Sequence, residues 1–123
     1  MSEKHLDTFG EILIKKVRDL TIHNWDCIID GEMKGQRSKE IREKLSFFND
    51  EQVGVFKELF PMVVDSTIHH LLWTLEEEDG LELFVEVDQK VNRIRDISDG
   101  LAGELYTEDG WIMRFSKKRY KEL

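Results

Sequence analysis

The stretch LFPMVVDSTIHHLLWTLEEEDGLELFVEV, residues 59–87, contains the change of hydrophobic period that decides the fold class. From Leu59 to Leu75 apolar side chains fall on nearly every side of a helical wheel, including Phe60, Val63, Val64, Ile68, Leu71, Leu72 and Trp73. A helix apolar all round is normally central in its fold or shared with a second subunit. Pro61 removes one backbone donor and crowds the preceding turn, which predicts a kink or a break with restart near Phe60. The run stops at Glu76, Glu77, Glu78, Asp79 and Gly80. From Leu81 the period becomes two: Leu81, Leu83, Val85 and Val87 share one side, and Glu82, Phe84, Glu86 and Asp88 the other, as in a half-buried strand.

Upstream, Asn49 with Gln52 three residues later forms a capping-box pattern. Asp50 and Glu51 sit favourably in the first turn of the long helix, which is expected over 50–78. Leu6, Phe9, Leu13, Val17 and Leu20 make the stripe of an amphipathic first helix, which Gly31 or Gly35 should end. Ser38 is placed to cap a short second helix carrying Ile41, Leu45 and Phe48.

Downstream, Gln89 and Lys90 offer a reversal into a second strand, Val91 to Ile97, which would set Glu86 opposite Arg93. Ser98, Asp99 and Gly100 mark a turn into a short helix through Leu101 and Leu105. Asp109 and Gly110 then lead to a third strand in which Trp111, Met113 and Phe115 alternate with Ile112 and Arg114. The expectation is one α+β domain over residues 1–123. It has a helical N-terminal half, then a small three-stranded antiparallel meander with a short helix between the second and third strands. Residues 117–123 form a basic tail expected to fray.

Charge is unevenly placed. The net of −8 arises because residues 49–110 hold 16 acidic and 4 basic side chains, while residues 1–48 balance and residues 111–123 carry a net of +4. A field of that sign repels phosphate backbones and argues against nucleic acid; a basic protein is the electrostatically easier partner. No apolar run is long enough for a membrane span, and neither a secretory signal nor a disulfide is suggested, with Cys27 the single cysteine. A cytoplasmic, membrane-free protein is expected.

The chain lacks a phosphate-cradling glycine loop, a serine elbow, paired-cysteine knuckles and a helical zinc-protease histidine pair. Two four-residue spacings remain as catalytic or metal candidates. Asp19, His23 and Cys27 would align carboxylate, imidazole and thiol along the first helix as metal ligands, although Cys27 as a small core residue with His23 hydrogen-bonded to Asp19 is the more ordinary explanation. Asp65 and His69 would pair a carboxylate with a general base, although a polar seam satisfied internally does the same. No cofactor is implied. The acidic set Glu76, Glu77, Glu78, Asp79, Glu82 and Glu86 is the candidate partner-binding edge, because carboxylates at a helix C-terminus oppose the helix dipole and so call for another reason.

The expected function is a non-enzymatic acidic binding protein for a basic protein partner, in the manner of a small inhibitor, antitoxin or immunity protein. The alternative is a small enzyme or metal protein dependent on the His, Cys and carboxylate residues. A homodimer through helix 50–78 is compatible with either.

Overall fold

A computed structural model describes residues 2–120 of the chain. The first helix runs unbroken in three parts: α1 (Ser2–Leu13), a π-helical turn (Ile14–Arg18) and α2 (Asp19–Ile29). In the π turn Asp19 N–H donates to Ile14 O, five residues back, so one extra residue enters the turn. That insertion rotates everything beyond it. The stripe holds through Leu6, Phe9 and Leu13, but after the turn Arg18 and Ile22 point inward while Val17 and Leu20 are exposed.

Gly31, at φ +81°, closes α2. Its N–H donates to Ile28 O, and Glu32 N–H donates to Cys27 O, a pair of bonds that satisfies the last carbonyls and favours glycine at the left-handed position. Helix α3 (Gln36–Leu45) starts from Gly35, and Ser38 is buried within it and does not serve as its cap.

Helix α4 (Asp50–Glu77) begins where expected. Asn49 Oδ1 accepts from Gln52 N–H at 2.8 Å and Gln52 Oε1 accepts from Asn49 N–H at 2.9 Å. It is a single helix through Pro61, which lies buried inside it. The break near Phe60 does not occur. One face of α4, with Asp65, Ile68 and Leu72, is buried, whereas Val55, Leu59, Val63, Leu71 and Trp73 are exposed.

Two strands, β1 (Phe84–Val87) and β2 (Lys90–Arg93), form an antiparallel hairpin. Asp88 and Gln89 are its turn, both at positive φ (53° and 68°), the geometry whose twist matches a two-residue hairpin. Val87 therefore pairs with Lys90, Val91 lies opposite Glu86, and Arg93 lies opposite Phe84. The expected facing of Glu86 and Arg93 is corrected by two positions, because the turn starts at Asp88.

The sheet has two strands where three were expected. Beyond Arg93 the chain turns into a short helix, α5 (Ile94–Ile97), which buries Ile94 fully, and a 3-10 turn (Ala102–Leu105) follows. Residues expected as the third strand form α6 (Trp111–Phe115). Burial explains the difference. Trp111 and Ile112 are both buried while Met113 and Arg114 are exposed, which a single helical turn permits and strict alternation forbids. Arg114 N–H and Ser116 N–H donate to Gly110 O and Ile112 O. The molecule is thus mixed α+β, mostly helical, with a small antiparallel hairpin.

The core joins Leu13 and Ile14 to Ile68 and Leu72 of α4, and to Ile94, Leu101, Leu105, Trp111 and Ile112 from the C-terminal third. Trp111 stacks edge-on against Phe9 with ring centroids 5.6 Å apart, and its indole lies against the backbone of Gly10. A methyl group at Gly10 would overlap the ring, whereas one at Gly54 in α4 would meet nothing within 4 Å. Gly10→Ala is accordingly expected to destabilise by about 1–3 kcal/mol through overpacking, despite alanine's better helix propensity. Gly54→Ala should stabilise by up to about 1 kcal/mol. Urea unfolding of the two variants checks both signs.

Candidate functional site

Asp65 does not face His69. Its carboxylate, almost wholly buried, accepts from Arg18 Nε at 2.5 Å and Arg18 Nη2 at 3.3 Å, and Arg18 is itself fully buried. Burial pushes the Asp65 carboxyl above its ordinary range, while the hydrogen bond and charge of Arg18 pull it down. His69 Nδ1 is hydrogen-bonded to the Tyr106 hydroxyl at 2.8 Å, and His70 Nδ1–H donates to Ser66 O. The acid and the base of the catalytic candidate thus have different partners.

Of Asp19, His23 and Cys27, the last two stay in contact and Asp19 turns away from them. Asp19 accepts from Ser116 Oγ at 2.8 Å and from Lys117 N–H at 2.7 Å. His23 lies 3.5 Å from Cys27 Sγ through Nε2, and Lys118 Nζ donates to its Nδ1 at 3.3 Å. A hydrogen bond with Glu32, followed by desolvation, raises the Cys27 thiol above its ordinary value, which disfavours the thiolate that nucleophiles and metal ligands need. Among the described residues no group of three or more His, Cys, Asp or Glu side chains is placed to hold a metal ion.

Arg18, which falls outside the apolar stripe of the first helix, holds the C-terminal segment. Its Nη1 donates to Asp19, to Ser116 Oγ at 2.8 Å and to Lys118 O at 2.9 Å. Arg119 adds a two-pronged bond to Asp26, at 2.9 and 2.8 Å. Lys117, Lys118 and Arg119, the start of the basic tail, are therefore hydrogen-bonded to the first helix; Lys121 to Leu123 lie outside the described residues. One sequence signal pointed toward Arg18: a carboxylate at position 65 on an apolar helix requires a buried cationic or donor partner.

The six acidic candidates divide by use. Glu76 Oε2 accepts from Leu101 N–H at 2.7 Å, tying the end of α4 to the segment that follows α5. Glu82 meets Arg93 at 3.5 Å and Arg95 at 3.9 Å. Arg95 also donates to Leu75 O at 3.0 Å and to Glu78 O, supplying at the C-terminus of α4 the cation that its own last turn lacks. Glu77, Glu78, Asp79 and Glu86 are exposed, and their carboxylates form no ion pair among the described residues.

On the outer face of the hairpin Glu82, Phe84 and Glu86 alternate, with Val91 and Arg93 across from them. Phe84 and Val91 are 58% and 57% exposed, and the register makes them diagonal neighbours on that face. An apolar pair thus stands among Glu82, Glu86 and Arg93. No helix among the described residues is long and apolar enough to cross a membrane. Comparison of this chain with protein-family models, curated proteins and solved structures finds no match.

Replacing Arg18 with Met leaves Asp65 buried without its partner, and is expected to cost about 3–5 kcal/mol. Changing Asp65 to Leu as well should recover much of that loss, since an apolar pair removes the unpaired charge. Chemical denaturation of both variants measures the recovery. Faster tryptic cleavage at Lys117 or Lys118 in Arg18→Met would report release of the C-terminal segment.

Proposed function

We propose that this chain is a non-enzymatic binding protein that takes a basic protein partner on the outer face of the β1–β2 hairpin and the adjoining end of α4. Its behaviour would be that of a small inhibitor, antitoxin or immunity protein. The observation that carries this reading is the exposed Phe84 and Val91 pair with Glu82, Glu86 and Arg93 around it, preceded in the chain by the unpaired Glu77, Glu78 and Asp79. An aromatic anchor within a charged rim is the usual anatomy of a protein-binding patch. The surplus negative charge would steer a basic partner during encounter.

The enzyme or metal reading has less support, because Asp65, His69 and Asp19 are each engaged by a different neighbour. A second reading, compatible with the first, is a homodimer through α4. It is favoured by the exposed stripe Val55, Leu59 and Val63 at four-residue steps, with Trp73 farther along.

The first reading is checked by affinity capture from host lysate, comparing wild type with a variant in which Glu77, Glu78 and Glu86 become Gln and Asp79 becomes Asn. A basic protein retained by wild type, lost by the variant and released steeply by added salt is the expected result. Equal retention by both proteins would end the proposal. For the dimer, sedimentation analysis should give twice the chain mass for wild type and a monomer for Val63→Glu. A wild-type monomer at high micromolar concentration would exclude it.

A further inference from the structure

We infer that two copies of this chain meet through the outer face of α4, antiparallel about a two-fold axis between Val63 and Ser66, and that protonation of His70 parts them. The inference rests on the homodimer reading above and gives it a register and a control.

The face runs from Val55 to Thr74. At about 100° per residue, Val55, Leu59, Val63, Ser66, His70 and Trp73 share one side of α4, and the four large apolar ones are exposed. The charged residues of α4 between these limits are Lys57, Glu58 and Asp65, and the same spacing turns all three away. An exposed helix face about 30 Å long without a charge is the pattern of a surface that is covered. Its polar groups are already satisfied within the helix. Thr67 Oγ1 donates to Val63 O at 2.8 Å, and His70 Nδ1–H donates to Ser66 O at 2.8 Å. These donors can leave water without losing a hydrogen bond.

The order of residues along the face fits a second copy. Large apolar side chains, Val55, Leu59, Met62 and Val63, fill its N-terminal half, whereas Ser66, Thr67, His70 and Thr74 occupy the C-terminal half ahead of and beside Trp73. An antiparallel two-fold exchanges the halves, as an isologous contact requires. Val63 then lies opposite Ser66, Leu59 opposite His70 and Val55 opposite Thr74, so that bulk meets smaller or flatter side chains. A basic partner would find no counter-charge on this face.

His70 is the one group on the face that titrates between pH 5 and 8. With Nδ1–H held by Ser66 O, an added proton goes to Nε2, and the imidazolium would stand against Leu59 of the second copy. The titratable groups beside it are His69, with ring centroids 5.4 Å apart, and behind that Tyr106, whose hydroxyl is bonded to His69. Neither is an anion that could balance the charge. Glu58, the carboxylate next to Leu59, is turned about 100° away toward solvent. Two uncompensated charges, one from each chain, therefore oppose association in acid.

Sedimentation of the full chain at pH 7.5 and pH 5.5 tests the control. A dimer at pH 7.5 whose dissociation constant rises about tenfold or more at pH 5.5 is expected. His70→Gln should stay dimeric at both pH values, while His23→Gln and His69→Gln should keep the acid response. The register is tested by nitroxide labels on cysteines placed at Thr67 or Gln52 in a Cys27→Ser background. An antiparallel pair brings the two Thr67 labels within about 20 Å and holds the Gln52 labels about 35–40 Å apart; a parallel pair would make both distances short. A wild-type monomer at high micromolar concentration would end the homodimer reading and this inference together. A dimer indifferent to pH, an acid response retained by His70→Gln, or short distances at both labels would overturn this inference alone.

Discussion

The buried pair of Arg18 and Asp65 constrains the rest of the structure. A guanidinium removed from water needs acceptors for its N–H groups. Arg18 finds them on three separated segments: Asp65 on α4, Asp19 beside it on the first helix, and Ser116 and Lys118 in the C-terminal stretch. Satisfying that one side chain fixes where the first helix crosses α4 and where residues 116–118 must lie. An apolar pair of similar volume could equal or exceed its stability. What an apolar pair lacks is direction, since Leu against Leu would tolerate several registers while a forked donor accepts few.

The π turn is the backbone's contribution to the same constraint. Without the extra residue, Val17 and Leu20 would continue the buried stripe and Arg18 would face solvent. With it, Arg18 and Ile22 turn inward. A π turn has poorer local geometry than an α-helix and persists where tertiary contacts over-determine it. Here those contacts are the ion pair on one side and the Leu13–Ile14 core on the other. The exposure of Val17 and Leu20 follows from that exchange.

Much of the fold was legible because local chemistry and tertiary structure agree there: the Asn49–Gln52 cap, the stripe from Leu6 to Leu13, the helix end at Gly31, and the alternation from Leu83 to Val87. The misreadings fall where one contact overrides local pattern. A one-residue insertion in a helix leaves no mark on hydrophobic period until the stripe behind it drifts. The segment Trp111–Phe115 is short enough to read as either strand or helix, and only the fit of Trp111 against Gly10 decides. Pro61 predicted a break that burial and the surrounding helix suppress. For the acidic edge, sequence correctly located the carboxylates but could not separate Glu76 and Glu82, which hold the fold together, from the four that do not. That division depends on Arg93 and Arg95, which reach the end of α4 only after the hairpin has folded back.

This division also answers why the end of α4 tolerates so much negative charge. The helix dipole disfavours carboxylates at that end, and Arg95 offsets the penalty from outside the helix by donating to its last carbonyls. The cation that stabilises the terminus is thus held by backbone oxygens and by Glu82, leaving Glu77, Glu78 and Asp79 free of ion pairing. At the opposite end of α4 an aromatic chain, from Trp25 to Phe60 to Phe56 to Phe48, closes α2 and the 46–49 connection onto the helix with centroid spacings of 5.3, 6.4 and 5.2 Å. The cleft beside it is lined by Asp30, Arg42, Asp50 and Lys57, whose charges cancel, whereas the far end carries several unpaired carboxylates. Because added salt screens exposed charges most, the mutual repulsion of Glu77, Glu78 and Asp79 is the part of this helix most sensitive to ionic strength.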